Sequence, residues 1–171
     1  FLAIVFVLLA IILYIAFAFR KVSRPISSWK YGVCAVLALF HDVIIPTGVF
    51  AILGHFLGVE VDTLFVTALL TVLGFSVHDT IVVYDRIREN LLKFPRETFE
   101  EIVNRSVNQT AVRSVNTSLT VLLVLIASFF FGGESIKYFV LTLIIGVVFG
   151  TYSSIFIASP LLVIWNRASK K

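Results

Sequence analysis

Asp79 interrupts an apolar stretch long enough to cross a bilayer, within GFSVHDTIVVYDRIREN from Gly74 to Asn90. A carboxylate at membrane depth costs roughly 2.5–3.5 kcal/mol on insertion scales, so such a group is ordinarily paired, faces a wet cavity, or carries a proton. Ser76 and Phe75 precede it by a turn on the same helical face, and Val82 and Val83 follow by a turn. The chemistry open to Asp79 is proton uptake and release, because a carboxyl moved between apolar surroundings and a nearby cation changes its proton affinity. The competing reading is a static ion pair that orients helices.

Arg113 opens a later apolar stretch, with Asn116, Thr117 and Thr120 on the same face at i+3, i+4 and i+7. As a counter-ion it would set the protonation of Asp79; as an ordinary interfacial arginine it would snorkel to the headgroups. Asp42 and His41 lie inside another apolar stretch, shortly before Pro46 and Thr47. A proton relay is one reading of that pair, and a buried cluster fixing helix packing beside a proline kink is the other. Adjacent side chains on a helix diverge, so neither His41 with Asp42 nor His78 with Asp79 is expected to act as one bidentate site. No spacing resembles an i,i+4 metal pair, and no metal or cofactor is expected. Gly146, Gly150 and Ser154 recur at i, i+4 and i+8, a small-residue strip that predicts close helix packing rather than chemistry.

The elements that must position these residues are membrane helices. Apolar residues make up 59% of the chain and the mean hydropathy is +1.03, more than a water-soluble domain of 171 residues needs for its core. Apolar segments at about 1–18, 31–54, 63–84, 115–131 and 137–165 can each cross a hydrocarbon layer about 30 Å thick, which predicts an all-α bundle of five transmembrane helices. Continuous rather than alternating runs exclude strands, and open sheet edges go unsatisfied in lipid. FHDVI from Phe40 to Ile44 and VHDTI from Val77 to Ile81 form a weak internal echo in successive spans.

Basic residues set the orientation. Arg20, Lys21, Arg24 and Lys30 fall in the first connection, Arg86, Arg88, Lys93, Arg96, Arg105 and Arg113 follow the third span, and Arg167, Lys170 and Lys171 end the chain. The loop from His55 to Asp62 carries only the acids Glu60 and Asp62. Phe1 is therefore expected outside and Lys171 in the cytoplasm, with Gly132-Gly133-Glu134-Ser135 as a short external turn. A cytoplasmic helical segment is expected over about 85–112, continuing the third span with Asp85/Arg88 and Glu89/Lys93 pairs. It breaks near Pro95 and resumes as an amphipathic helix along the membrane surface, with Phe99, Ile102, Val103 and Val107 on its apolar face.

Several function classes drop out. The net charge of +4 and pI near 9.4 come from loops where lipid headgroups already account for the basic residues, so nucleic acid is not an expected partner. The single Cys34 excludes an intramolecular disulfide. No GxSxG elbow or phosphate-cradling glycine loop supports an enzyme. Phe1 begins in mid-span without a basic flank, so a further segment is expected before it.

The residues from Gly74 to Asn90, above all Gly74, Ser76, Asp79, Thr80 and DRIREN from Asp85, resemble the signature of the SecF family of bacterial protein-export membrane subunits. SVNQTAVRSVNTSLT from Ser106, the hairpin from Phe129 to Trp165 and ALFHDVIIPTG from Ala38 extend the resemblance over nearly the whole chain. It departs from the family pattern at His78, where asparagine is expected. The resemblance implies the resistance-nodulation-division superfamily and a bacterial inner-membrane location. It also implies a SecD-like partner, the SecYEG channel and an exported polypeptide as contacts, and proton flow as the driving force. It makes Asp79 the titrating group, Arg113 its partner and Asp42 a secondary element. It further implies a first helix and an external domain preceding Phe1. A proton-coupled small-molecule efflux transporter of the same superfamily and a passive membrane scaffold are the alternatives.

Overall fold

The computed structural model of the chain describes residues 28–169 and, before them, only positions 6, 9, 10, 13, 14 and 17. Most of the expected first span, 1–18, and Phe1 and Lys171 at the two ends lie outside the described residues. The described chain is all-helical: α1 (Ser28–Leu57), α2 (Thr63–Lys93), α3 (Phe99–Phe131), α4 (Glu134–Ser153), a π-helical segment (Ser154–Ala158) and α5 (Ser159–Ala168). The last three run on as one rod, Glu134–Ala168, giving four helical units long and apolar enough to cross a membrane.

Local chemistry sets each boundary. Gly58 takes φ 65° and returns its N–H to the Gly54 carbonyl at 3.1 Å, closing α1 with a conformation that glycine adopts without a Cβ penalty. Asp62 caps α2 by accepting from the Phe65 N–H at 2.9 Å. Thr98 and Glu101 form a reciprocal capping box at the start of α3. Between α3 and α4 only Gly132 and Gly133 intervene, and an added Cβ at Gly132 would stand 2.2 Å from the Ser128 carbonyl oxygen.

Helix α3 corrects one expectation. The amphipathic segment after Pro95 does not lie along the membrane as a separate helix; it is the first part of α3, continuous from Phe99 to Phe131. Nothing in those 33 residues is Gly or Pro, so no residue breaks the hydrogen-bond ladder. Its apolar face finds a protein partner instead of lipid: Phe99, Ile102 and Val103 are buried with Tyr84, Ile87 and Leu162. At 1.5 Å per residue α2 and α3 each extend roughly 45–50 Å, well beyond the hydrocarbon thickness, so both project from the bilayer at the end that carries their charges. There Arg88 pairs with Asp85 at 3.5 Å and Lys93 with Glu89 at 2.6 Å, as the sequence spacing predicts.

The antiparallel order brings the start of α1, the α2–α3 turn and the end of α5 to that same end. Trp29 meets Trp165 edge-on at 5.2 Å, Lys30 lies 5.7 Å over the Trp165 ring, and Arg167 pairs with Glu100. Tryptophan and lysine together are typical of a membrane–water boundary. In α1, Pro46 removes the N–H that would have reached the Asp42 carbonyl. The π segment precedes Pro160, and its Ala158 carbonyl accepts from the Tyr84 hydroxyl at 3.2 Å.

Candidate functional site

Small side chains let the helices approach where the carboxylates lie. Gly146 and Gly150 of α4 face α2, and an added Cβ would fall 2.0 Å from Val72 Cγ2 at the first and 3.0 Å from Ser76 Cβ at the second. The packing strip expected from the sequence therefore has its partner within this chain. Ser154 is buried and bonds back to the Thr151 carbonyl at 2.9 Å.

Asp42 of α1 is completely buried, and it is the more fully held of the two carboxylates. Its Oδ2 accepts from Ser76 Oγ of α2 at 2.5 Å and from Ser153 Oγ of α4 at 2.7 Å. Its Oδ1 lies 3.0 Å from Nδ1 of His41. That contact corrects the expectation that the neighbours diverge: the half-buried imidazole folds back along α1 to the carboxylate, near the rings of Phe149 and Tyr152.

Asp79 is 5% exposed and differently held. Ser114 of α3 donates to its Oδ1 at 3.1 Å, and its Oδ2 has no hydrogen-bond partner among the described residues. Asp79 keeps one oxygen free of hydrogen bonds among the described residues, whereas both oxygens of Asp42 are occupied. The two acids of the internal echo thus occupy opposite extremes of satisfaction.

The Arg113 guanidinium makes no hydrogen bond or close ion pair among the described residues, although it is one of the charged groups near Asp79. The side chain is exposed and borders a cleft of about 280 Å³ between α2 and α3, with Asp85, Arg86, Glu89, Gln109 and Thr110 on its walls. Asn116, Thr117 and Thr120 are exposed as well, so the predicted polar stripe faces away from Asp79. Thr117 and Thr120 satisfy themselves on the carbonyls of Arg113 and Asn116, each at 2.9 Å.

The stripe that does face inward is displaced by one residue: Ser106, Thr110, Ser114 and Ser118, all buried at i+4 intervals. Ser106 accepts from the Asn90 amide at 2.8 Å, Ser114 holds Asp79, and Ser118 bonds Thr151 of α4. Its regular spacing is legible in the sequence, but nothing there ranks it above the adjoining face that carries Arg113. Together, Asp42–Ser76, Asp42–Ser153, Asp79–Ser114 and Ser118–Thr151 link the four helical units in a closed ring of side-chain hydrogen bonds. Among the described residues no group of three or more His, Cys, Asp or Glu could hold a metal ion.

The family model described as protein export membrane protein SecD/SecF, C-terminal, matches residues 1–168. The protein translocase subunit SecF of Thermobaculum terrenum is 65% identical over 159 residues, covering 93% of this chain and 49% of that protein. The corresponding subunit of Synechocystis sp. is 49% identical over 166 residues, covering 97% and 50%. A crystal structure of SecDF in a super-membrane-facing form matches with a TM-score of 0.83 at 43% identity, over 95% of this chain and 21% of that one. The chain thus spans about half the length of these curated relatives. With the family model matched almost end to end, the chain belongs to the SecD/SecF protein-export membrane family and corresponds to the C-terminal part of SecF.

Proposed function

We propose that this chain is the proton-coupling membrane part of a SecF-type subunit, which pairs with a SecD-type subunit in the bacterial inner membrane and helps the SecYEG channel export polypeptides. The observation that carries the reading is the Asp79 carboxyl, buried in the bundle with one oxygen on Ser114 and the other without a hydrogen-bond partner among the described residues. Intramembrane acids are costly, and one so sparsely held is suited to gaining and losing a proton.

Arg113 is the partner in this cycle. In the present arrangement it sits at the charged cleft, within electrostatic reach of Asp79 but out of contact with it. A small shift of α3 against α2 would bring the guanidinium toward the carboxylate and favour proton release; the reverse shift would favour uptake. Such helix shifts of an ångström or two are a known form of switching. Asp42 assists as a secondary element.

The outward polar face of α3 supports a membrane partner. Asn116 is exposed beside Val115, Leu119 and Leu123, and an amide in hydrocarbon is poorly placed unless another helix meets it. A SecD-type helix seated there would also shield Arg113 from lipid. The basic end of the bundle, with the α2 and α3 extensions, is read as cytoplasmic and the Gly132–Gly133 turn as external.

The test is export driven by an imposed proton gradient, measured with the full-length subunit, its SecD-type partner and the channel in proteoliposomes. Asp79→Asn is expected to abolish the response to the gradient at normal protein level. An unchanged response would overturn the reading, as would failure of SecD-type and channel subunits to co-purify.

A further inference from the structure

Ser76 lies three residues before Asp79 on the buried face of α2 and occupies a confined position. In front of it stands the Asp42 carboxylate at 2.5 Å; behind it, Gly150 of α4 leaves only enough room for its Cβ. One turn earlier, Val72 fills the space that Gly146 vacates. At this level α2 cannot rotate or slide without breaking the Asp42 bond or driving Val72 into the α4 backbone. Asp79 receives no comparable restraint from α3, where its one hydrogen bond among the described residues is the 3.1 Å contact with Ser114.

We propose that Asp42 and Ser76 are positioning residues for Asp79: their hydrogen bond fixes the rotation and register of α2, and so places the Asp79 carboxyl relative to Ser114 and Arg113. The inference rests on the proton-coupling reading above. Ser153 shares the Asp42 oxygen but belongs to α4, so it anchors the helix behind Ser76 rather than the helix bearing Asp79. His41 of α1 is the titratable group beside Asp42, while His78 of α2 and Arg113 of α3 are the charged or titratable neighbours of Asp79. From α4 come the hydroxyls of Thr151 and Ser153, with Tyr152 near the His41 ring, and the π segment offers its Ala158 carbonyl to Tyr84.

The experiment uses the full-length subunit, reconstituted with its SecD-type partner and the channel, and reads export rate against pH. Ser76→Ala removes the donor and leaves both carboxyls in place. The expected result is normal abundance, a modestly lowered melting temperature from the lost Asp42 bond, and a pH-profile midpoint displaced by about half to one unit, the size expected if the Asp79–Ser114 hydrogen bond is lost with the register of α2. Ser153→Ala should displace it clearly less. An unmoved midpoint in Ser76→Ala, or an equal displacement in Ser153→Ala, overturns the proposal. Should Ser76→Ala fail to accumulate, Ser76→Cys keeps the shape with a weaker donor and is judged by the same two outcomes. Asp79→Asn, run alongside, separates the two ideas. Gradient-driven export surviving in Asp79→Asn overturns the coupling reading itself, whereas its loss beside an unmoved Ser76→Ala midpoint overturns only the positioning role.

Discussion

The Ser153 hydroxyl donates to the Asp42 carboxylate at 2.7 Å across 111 positions of sequence, tying the first fully described helix to the last membrane-spanning rod. Because Ser76 donates to the same oxygen, three helices meet at one buried carboxyl group. Networks of this kind stabilise when complete and are costly when one member is lost.

Asp42→Ala should therefore lower stability by about 2–4 kcal/mol, since two buried hydroxyls lose their acceptor and a cavity opens. Asp42→Asn keeps the shape and one oxygen acceptor, so its melting temperature should fall less and export should persist in part. Thermal melting in detergent and the reconstituted export assay measure both. Complete loss of export in Asp42→Asn at normal abundance would make Asp42 essential rather than secondary.

Two glycines give a paired test of packing. Gly48 has nothing within 4 Å of an added Cβ, whereas at Gly146 that Cβ would lie 2.0 Å from Val72 Cγ2. Gly48→Ala is expected to be neutral or stabilising by up to about 1 kcal/mol through reduced backbone freedom. Gly146→Ala should destabilise by about 1–3 kcal/mol through overpacking of α4 on α2. Equal melting temperatures for the two variants would mean that the helices separate easily at this point.

Much of this bundle is legible in the sequence because its signals are local. Apolar run length marks the spans, Pro95 marks the break before α3, and the glycine pair marks the α3–α4 turn. What periodicity does not reveal is which face of α3 turns inward. Arg113 through Thr120 and Ser106 through Ser118 are both polar stripes at helical spacing, one residue apart, and only tertiary packing distinguishes them. The importance of Asp42 is hidden for the same reason, since its donors Ser76 and Ser153 come from distant helices. The fate of the segment after Pro95 also depends on distant residues, because its apolar face packs on Tyr84, Ile87 and Leu162.

Orientation is tested at the short turn. Glu134 begins α4 at the end of the bundle opposite Lys30, Lys93 and Arg167, and it is exposed. A cysteine placed there should react with an impermeant thiol reagent added from outside the cell, while native Cys34 is buried and should stay silent. Labelling at Glu134→Cys only from the cytoplasmic side would invert the bundle.

The last prediction concerns Asp79 and Arg113 as one switch. Asp79→Asn fixes a neutral side chain that cannot titrate, whereas Arg113→Ala leaves the acid but removes the cation that it meets during the cycle. Ser114 can still donate to the asparagine oxygen, so Asp79→Asn should leave melting within about 1 kcal/mol of the parent. Arg113 is exposed and holds no close ion pair among the described residues, so its loss should also spare the fold. Both single variants are expected to lose gradient-driven export while retaining normal abundance. Residues that act as a unit are non-additive, so the double variant should be about as defective as either single one. The measurement is a double-mutant cycle on export rate at fixed gradient. If the two defects instead multiply, Asp79 and Arg113 serve separate steps, and the pairing across the α2–α3 cleft is wrong.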